Sequence, residues 1–382
     1  LLAGGGWSAS RACIMTSIFF VAILVDRRAL SLRNVAIAAT FMLLTTPEAV
    51  LHPGFQMSFA AVTALIAAYE WSAGRADPDR SFSVPARVGR YVAGVAVTDV
   101  VAALATAPYS LFHFGRSANY GLAANLVSIP IMGFWVMPAA IAGLALMPFG
   151  LDGWAWRLSA KGVDAILATG GAVAPLAGAV TTLPHWPLSA LIVLTGGGLF
   201  LCLQRAPWRL GGLAAIPVAA VLIAAHPAPA LFVSPDGDNV AAVLVASTGD
   251  DSLALFNQRK DKFAAEVWKE YAGLDKDRAE TVKFVDVGRC DAAGCVAQMR
   301  GATIAVSEDP LGLADDCARA DLVVALYPVR DGKTDACAAR LIDRGAVWDE
   351  GAHAAWIAKD GSIRIKTVGE ARGIRPWTGD DG

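Results

Sequence analysis

The first stretch of the chain whose residue types suggest a functional site joins a helix-breaking corner to a long apolar segment. Pro53 and Gly54 end one apolar segment, and Gln56 and Ser58 place hydrogen-bonding side chains in the first turn of the next. Segment 54–72 is long enough, at 1.5 Å per residue, to cross most of a ~30 Å hydrocarbon layer. Polar groups at that depth are costly unless they face a partner or a wet cavity. Gln56 and Ser58 are therefore candidates for a polar path, with capping of the amides freed at the corner as the alternative.

Two more polar residues fall inside apolar segments. Asp99 lies within 91–113 and Asn125 within 121–148. An ionisable residue in a membrane segment is a functional candidate by default, whereas hydrogen bonding between helices explains many such residues. Both residues are therefore path candidates, and a helix-to-helix hydrogen bond is the competing interpretation.

A third group of candidates lies at the end of segment 91–113, where aromatic rings surround His113 and Arg116. The hydrogen-bond donors and the positive charge of this cluster make it a further candidate for a polar path. An aromatic belt at the membrane interface with one snorkelling arginine is the alternative. The cluster consists of Tyr109, Phe112, His113, Phe114, Arg116, Asn119 and Tyr120.

The overall composition indicates an apolar protein whose charged residues lie mainly near one end. The 382 residues are 55% hydrophobic and 17% charged, with the charges concentrated towards the C-terminus, and the mean hydropathy is +0.49. The net charge of −2 shows no global basic bias, so nothing in the bulk composition demands a nucleic-acid partner. The sequence starts at Leu1 without a basic, cleavable leader, so we expect a chain that has lost upstream sequence.

Eight apolar segments predict a polytopic α-helical membrane domain over residues 1–226, followed by a soluble α/β domain over residues 227–382. One segment, 154–175, carries Arg157, Lys161 and Asp164 and therefore either spans the membrane or lies along its interface. The segments are 4–25, 31–46, 54–72, 91–113, 121–148, 154–175, 187–204 and 208–226.

The loops between these segments alternate in charge. Basic residues concentrate in loops 26–33, 73–90, 149–161 and 205–209, whereas 47–53 and 176–186 have no lysine or arginine and 114–120 has only Arg116. By the positive-inside rule, the first set is cytoplasmic. The C-terminal domain is then expected on the outer, periplasmic side of a bacterial inner membrane.

Several motifs occur in order along the first half of the sequence. They are Leu1-Leu2-Ala3-Gly4, Arg11-Ala12 with Met15, Pro47, His52 to Ala60, Ala107 to Gly115, and Asn125 to Pro130. Together these motifs closely resemble the membrane domain of the ComEC family, whose signature proline, glycine, phenylalanine, glutamine, leucine or methionine, serine, phenylalanine matches Pro53 to Phe59 without a gap. Family members usually carry an N-terminal extracellular region and further helices with a serine-glycine-leucine-histidine motif, which this sequence lacks.

The resemblance implies an inner-membrane channel component that passes single-stranded DNA to the cytoplasm in natural transformation. Its implied partners are single-stranded DNA, the lipid bilayer and other competence proteins, and a homo-oligomer is considered as well. A non-conducting scaffold or remnant whose outer domain binds partners is the alternative. No cofactor is expected.

The C-terminal domain alternates short apolar strands with polar turns. Helices are predicted at 261–273, with Phe263, Val267, Trp268 and Tyr271 spaced for one buried face, and at 334–343. The predicted strands are 230–233, 240–246, 252–257, 282–287, 302–306, 321–326, 355–358 and 362–367.

The resemblance also implies a metallo-β-lactamase-like ancestry for this domain, a fold proposed to act as a nuclease in the family. That activity needs a cluster of histidines and aspartates to clamp two metal ions. Only His353 of the five histidines lies in the domain. We therefore expect a degenerate domain with no metal site, and a channel-linked nuclease is the less favoured function.

Four cysteines in the C-terminal domain are predicted to form disulfides. An oxidising compartment favours the pairs Cys290 with Cys295 and Cys317 with Cys337, among three possible connectivities. A zinc site of four thiolates is the alternative, although the spacings are atypical of zinc motifs.

The C-terminal end mixes arginine with aromatic residues, in Arg372, Arg375 and Trp377. Guanidinium and indole faces can stack on bases, so these residues form a candidate nucleic-acid patch. The alternative is that the tryptophans, with Trp348 and Trp356 upstream among them, belong to the core and that the arginines pack over them.

Overall fold

The computed structural model describes residues 7–26, 30–73, 84–244, 252–274, 279–329, 337–358 and 360–373. The chain divides into two compact units. The first comprises residues 1–181 and 186–223, and the second comprises residues 182–185 and 224–382.

The first unit is helical, and proline or glycine corners separate its helices. Its two short strands, β1 (Arg116–Ala118) and β2 (Val180–Thr182), pair in a small sheet. Short 3-10 segments occupy Pro47–Leu51, Met147–Phe149 and Pro207–Ala214. The helices are α1 (Trp7–Leu24), α2 (Leu32–Thr45), α3 (Pro53–Ala73), α4 (Val84–Phe114), α5 (Gly121–Ile131), α6 (Met137–Leu146), α7 (Gly153–Val173), α8 (Leu188–Leu203) and α9 (Ala215–Ala224).

By length and composition, three helical runs in the described residues can cross a membrane, namely Pro85–Phe114, Gly121–Phe149 and Pro207–Ala224. Shorter apolar helices cover Ser10–Leu24, Leu32–Thr45 and Leu188–Leu203. Six of the eight predicted segments therefore appear in one of these two groups. The helices α3 and α7 are in neither, so their predicted crossing does not meet this criterion.

The run Gly121–Phe149 stays helical although it contains Pro130 and Pro138. Five residues, Met132–Val136, form a π-helical turn between α5 and α6. A π turn shifts the backbone hydrogen bonds by one residue. This shift compensates for the N–H donors that the prolines lack.

The second unit contains eleven strands and four helices among the described residues. Two sheets result, with strand orders β13-β12-β3-β4-β5-β6 and β11-β10-β9-β8-β7. The helices are α10 (Lys262–Ala272), α11 (Leu313–Arg319), α12 (Arg344–Glu350) and α13 (Val368–Arg372). The strands are β3 (Leu231–Val233), β4 (Val240–Leu244), β5 (Ser252–Leu255), β6 (Glu280–Lys283), β7 (Arg289–Cys290), β8 (Gly294–Met299), β9 (Ala302–Ser307), β10 (Leu322–Ala325), β11 (Arg340–Asp343), β12 (His353–Ile357) and β13 (Ile363–Thr367).

The two sheets pack face to face, and each outer face carries a helix. Leu231 and Val240 of the first sheet meet Ile304 and Val324 of the second in one buried core. Because side chains alternate along a strand, Phe232 points the other way, towards α10. The helix α11 covers the outer face of the second sheet. This four-layer α/β/β/α arrangement confirms the predicted α/β class.

The face predicted for helix 261–273 is partly wrong. Trp268 is buried and stacks against Phe232, whereas Phe263 is 81% exposed and Val267 is 43% exposed. Each residue advances about 100° around a helix, so Phe263 and Val267 lie one position away from the stripe of Ala264 and Trp268. Small alanines therefore take the buried positions that the sequence analysis gave to larger residues.

The predicted helix 334–343 is also wrong where the structure describes it. Residues Arg340–Asp343 form β11, which pairs in parallel with β10, and the helix begins only at Arg344. Asp343 caps that helix by accepting a hydrogen bond from the Ala346 amide at 2.9 Å. Pairing with the buried strand β10 therefore overrides the local helix preference.

Both predicted disulfides are confirmed. Cys290 and Cys295 face each other across antiparallel β7 and β8, and Cys317 of α11 bonds to Cys337. The second bridge ties the helix before β10 to the segment before β11.

Candidate functional site

The corner before α3 is built around His52. Its Nδ1 accepts a hydrogen bond from the Gly54 amide at 3.1 Å, and its carbonyl oxygen accepts one from the Gln56 amide at 3.2 Å. Pro53 opens the helix, a position where its missing amide costs nothing. His52 thus caps the amides freed at the corner, a role that the sequence analysis had offered to Gln56 and Ser58.

Gln56 is consequently available to join two helices. Its Nε2 donates to the carbonyl oxygen of Val50 at 2.8 Å, and its Oε1 lies 2.7 Å from Nε2 of His113 at the end of α4. An amide oxygen only accepts, so His113 donates this bond from Nε2. Two residues predicted separately, 57 positions apart, therefore form one site.

Arg11 of α1 approaches the same corner. A Cβ atom on Gly54 would lie 3.1 Å from Nη1 of Arg11 and 3.1 Å from Nδ1 of His52, closer than ordinary packing allows. A larger residue at position 54 would push Arg11 and His52 away by a few tenths of an ångström, so glycine favours the close approach of these two side chains. Arg11, His52, Gln56 and His113 are hereafter the polar corner.

Two buried rings fix the rotation of α3. Phe55 and Phe59 lie one turn apart with centroids 4.4 Å from each other, and both pack into a cluster with Met42 of α2. With this face held against α2, Gln56 is directed to His113. Sequence reasoning listed neither Arg11 nor His52 as a site residue, although both occur in the quoted motifs.

Ser58 and Arg116 are not part of the Gln56–His113 hydrogen bond. Ser58 follows Gln56 by two positions, about 200° around the helix, so the two side chains leave different faces. Arg116 lies on β1, and its carbonyl oxygen accepts a hydrogen bond from Oγ of Ser110 at 2.9 Å. Nearby, Asn119 donates to the carbonyl oxygen of Gly178 at 2.8 Å, which holds the loop after β1 in place.

Asp99 and Asn125 form a second polar pair. Asp99 is 9% exposed, and Nδ2 of Asn125 donates to its Oδ1 at 2.6 Å, which links α4 to α5. Asp99 precedes His113 by fourteen residues, or about 21 Å along α4. The pair is therefore separate from the polar corner, and its geometry matches the helix-to-helix interpretation.

Replacing Asp99 by alanine is expected to destabilise the membrane unit by about 1–2 kcal/mol, because Asn125 loses its acceptor in an apolar setting. Asp99→Asn keeps an acceptor oxygen and should retain most of the stability. Unfolding of the purified chain in mixed micelles measures both variants. Equal losses for the two would show that the carboxylate charge matters rather than the hydrogen bond.

Among the described residues of the second unit, three carboxylates lie close enough together to bind one cation. Ligand oxygens of Asp236, Asp238 and Asp261 lie within 4.8 Å of one another. The Lys260 ammonium is 2.6 Å from Oδ2 of Asp238, and this hydrogen bond lowers the pKa of that carboxyl group. Burial and the charge of Asp238 raise the pKa of Asp261. A lysine thus already supplies positive charge to this group.

The predicted nucleic-acid patch is described only at Arg372, an exposed residue that ends α13. Arg375 and Trp377 lie outside the described residues. Trp356 is buried, donates to the carbonyl oxygen of Pro227 at 2.8 Å, and has Arg364 5.3 Å above its ring. The core interpretation is confirmed for Trp356 and is wrong for Trp348, which is 64% exposed.

Comparisons with known proteins assign a family to the part of the chain that contains the polar corner. The family model for competence proteins matches residues 1–208, more than half of the chain. ComE operon protein 3 of Bacillus subtilis (strain 168) is 26% identical over 147 residues, which cover 38% of this chain and 17% of that protein. No solved structure gives a significant match. Since the family model covers most of the helical unit and every residue of the polar corner, the chain belongs to the competence protein family.

Proposed function

We propose that the membrane unit forms part of the path by which single-stranded DNA crosses the bacterial inner membrane during competence. The observation that carries the proposal is the Gln56–His113 hydrogen bond of 2.7 Å at a corner that also gathers Arg11 and His52. Polar side chains from three helical elements meet there within an apolar unit. Such a meeting is costly unless it serves a polar ligand or a wet path.

The chemistry of the polar corner suits a phosphate chain. Arg11 brings a permanent positive charge, and the imidazoles and the Gln56 amide bring hydrogen-bond donors. Phe112 and Phe114 flank His113, with ring centroids 5.0 Å and 6.4 Å from the imidazole. Aromatic faces beside donors are the combination that single-stranded nucleic acids use without sequence preference.

The proposal includes an orientation. Basic residues concentrate in alternate loops, so we place loop 205–209 in the cytoplasm and the C-terminal domain in the periplasm. The two disulfides support this placement, because such bonds persist in an oxidising space. Protease added to spheroplasts should digest the C-terminal domain. Protection in intact spheroplasts with digestion only after lysis would contradict the orientation.

We also propose that the C-terminal domain is a degenerate metallo-β-lactamase-like domain without nuclease activity. Its four layers support the ancestry, and the sequence has one histidine in the domain where the metal motif needs several. Among the described residues, the carboxylate cluster of Asp236, Asp238 and Asp261 is paired with a cationic side chain, because Lys260 lies 2.6 Å from Asp238.

Gln56→Leu is expected to lower uptake of labelled single-stranded DNA by roughly fivefold or more, because His113 then faces an apolar group in place of its acceptor. His113→Leu should have a similar effect, and the double variant should be no worse than either, since the two residues act as one unit. Transformation frequency and cytoplasmic label measure the effect in cells that express the chain with its natural partners.

Gln204→Leu is the matched control. Gln204 follows the last residue of α8 and is not a residue of the polar corner, so this variant should transport normally. Quantifying each variant in the membrane separates a transport defect from a folding defect. Normal uptake by Gln56→Leu at normal membrane levels would overturn the path and favour the non-conducting scaffold.

A further inference from the structure

A cleft of about 460 Å³ lies between α3, α4, α8 and the segment that leads into α9. This volume falls in the range of ligand pockets that are mainly apolar with a few polar groups. Its floor includes Tyr109 and Thr195, whose hydroxyl oxygens are 3.1 Å apart and bond to each other. These hydroxyls are therefore satisfied, and most of the remaining wall is aliphatic.

The cleft is long relative to its volume. Along α3, its lining runs from Ala60 to Trp71, eleven residues or roughly 16 Å at the helical rise. That length equals about half of the ~30 Å hydrocarbon layer, which is one leaflet. An elongated apolar guest of one-leaflet length therefore fits the cleft, whereas a nucleotide chain would find few polar partners along its mainly aliphatic wall.

One end of the cleft is cationic. Arg209 lines it and lies 5.8 Å from the ring centroid of Trp71, an arrangement typical of the membrane interface. Arg205, with a 91% exposed side chain, lies in the same loop, 3.8 Å from Glu70 in a solvent-exposed pair that contributes little energy. A guest with an anionic head beside Arg209 and an apolar tail along α3 matches both features.

We propose that this cleft binds one acyl chain of an anionic phospholipid, with the lipid phosphate at Arg209. Basic pockets between transmembrane helices bind anionic headgroups by the same combination of charge and apolar depth. The bound lipid fills the space between α3, α4 and α8, and two of these helices, α3 and α4, also carry residues of the polar corner. The site does not depend on the proposed DNA path.

Gly198 allows the cleft to be filled without breaking the fold. A Cβ atom on Gly198 meets no atom within 4 Å, so Gly198→Leu projects into the cleft. Gly196 is equally open but does not line the cleft, and Gly196→Leu is its matched control. Gly197 cannot serve, since a Cβ there would lie 2.4 Å from that of Ala215.

Native mass spectrometry of the full chain in mild detergent tests the proposal, with phosphatidylglycerol and phosphatidylethanolamine of identical chains as probes. We expect phosphatidylglycerol to be retained over phosphatidylethanolamine, and Arg209→Gln to reduce that retention roughly fivefold. Arg87→Gln, which makes the same charge change at an exposed position outside the cleft, should not.

Gly198→Leu should abolish the retained phosphatidylglycerol while Gly196→Leu keeps it. Equal retention of the two lipids by the natural chain would overturn the proposal, because it would indicate non-selective surface lipid. Retention that is unchanged in both Arg209→Gln and Gly198→Leu would overturn it as well. Thermal unfolding of each variant without added lipid identifies any that fail to fold, and Gly198→Ala then replaces Gly198→Leu.

Discussion

Replacing Phe284 by alanine is expected to lower the free energy of unfolding of the C-terminal domain by about 3–5 kcal/mol. Phe284 is 1% exposed, and its ring centroid lies 6.1 Å from that of Phe256 inside the core between the two sheets. Deleting the ring removes apolar burial and leaves a cavity that rigid strands on both sides cannot close. Urea-dependent pulse proteolysis of the full chain, followed on the C-terminal domain, measures the loss.

Phe263→Ala provides the matched control. The same side chain is deleted, but Phe263 is 81% exposed on α10, so the change should stay within about 0.5 kcal/mol. The difference between the two variants therefore isolates burial from residue type. Similar losses at the two positions would contradict the face of α10 that the structure assigns to the core.

Removal of the Cys317–Cys337 disulfide by paired serine substitutions should destabilise the same domain by about 3 kcal/mol. The bridge closes a separation of 20 residues, and opening it returns conformational freedom to the unfolded chain. Cys317 is also 6% exposed in the core under α11, so a serine hydroxyl there adds a polar group to an apolar site. Pulse proteolysis with and without reductant measures the effect.

The Cys290–Cys295 disulfide provides a comparison for this result. Cys290 and Cys295 are separated by only five residues, so their removal should cost less, about 2 kcal/mol. Cys13→Ser changes a cysteine outside both bridges and should leave the domain unaffected. A larger loss at Cys290–Cys295 than at Cys317–Cys337 would show that loop length is not the controlling factor.

Local patterns predicted the helical unit closely. Apolar segments such as 31–46 and 187–204 appear as α2 (Leu32–Thr45) and α8 (Leu188–Leu203), because apolar runs between proline and glycine corners leave few alternatives to a helix. The cysteine pairs were also predictable, since compartment and spacing restrict the choice. In the C-terminal domain, prediction failed at 334–343 because a parallel neighbour strand, not local sequence, makes Arg340–Asp343 extended.

The sequence by itself determined the family motifs, the apolar segments and the residue types of the candidate site. Only the tertiary structure decided that Gln56 meets His113 and Asp99 meets Asn125, since hydrogen bonds between residues 57 and 26 positions apart depend on how helices pack. It also decided that His52 caps α3 and that Arg11 approaches Gly54. The corner at Pro53 sets where a helix starts, but the rotation imposed by buried Phe55 and Phe59 determines which side chains can meet there.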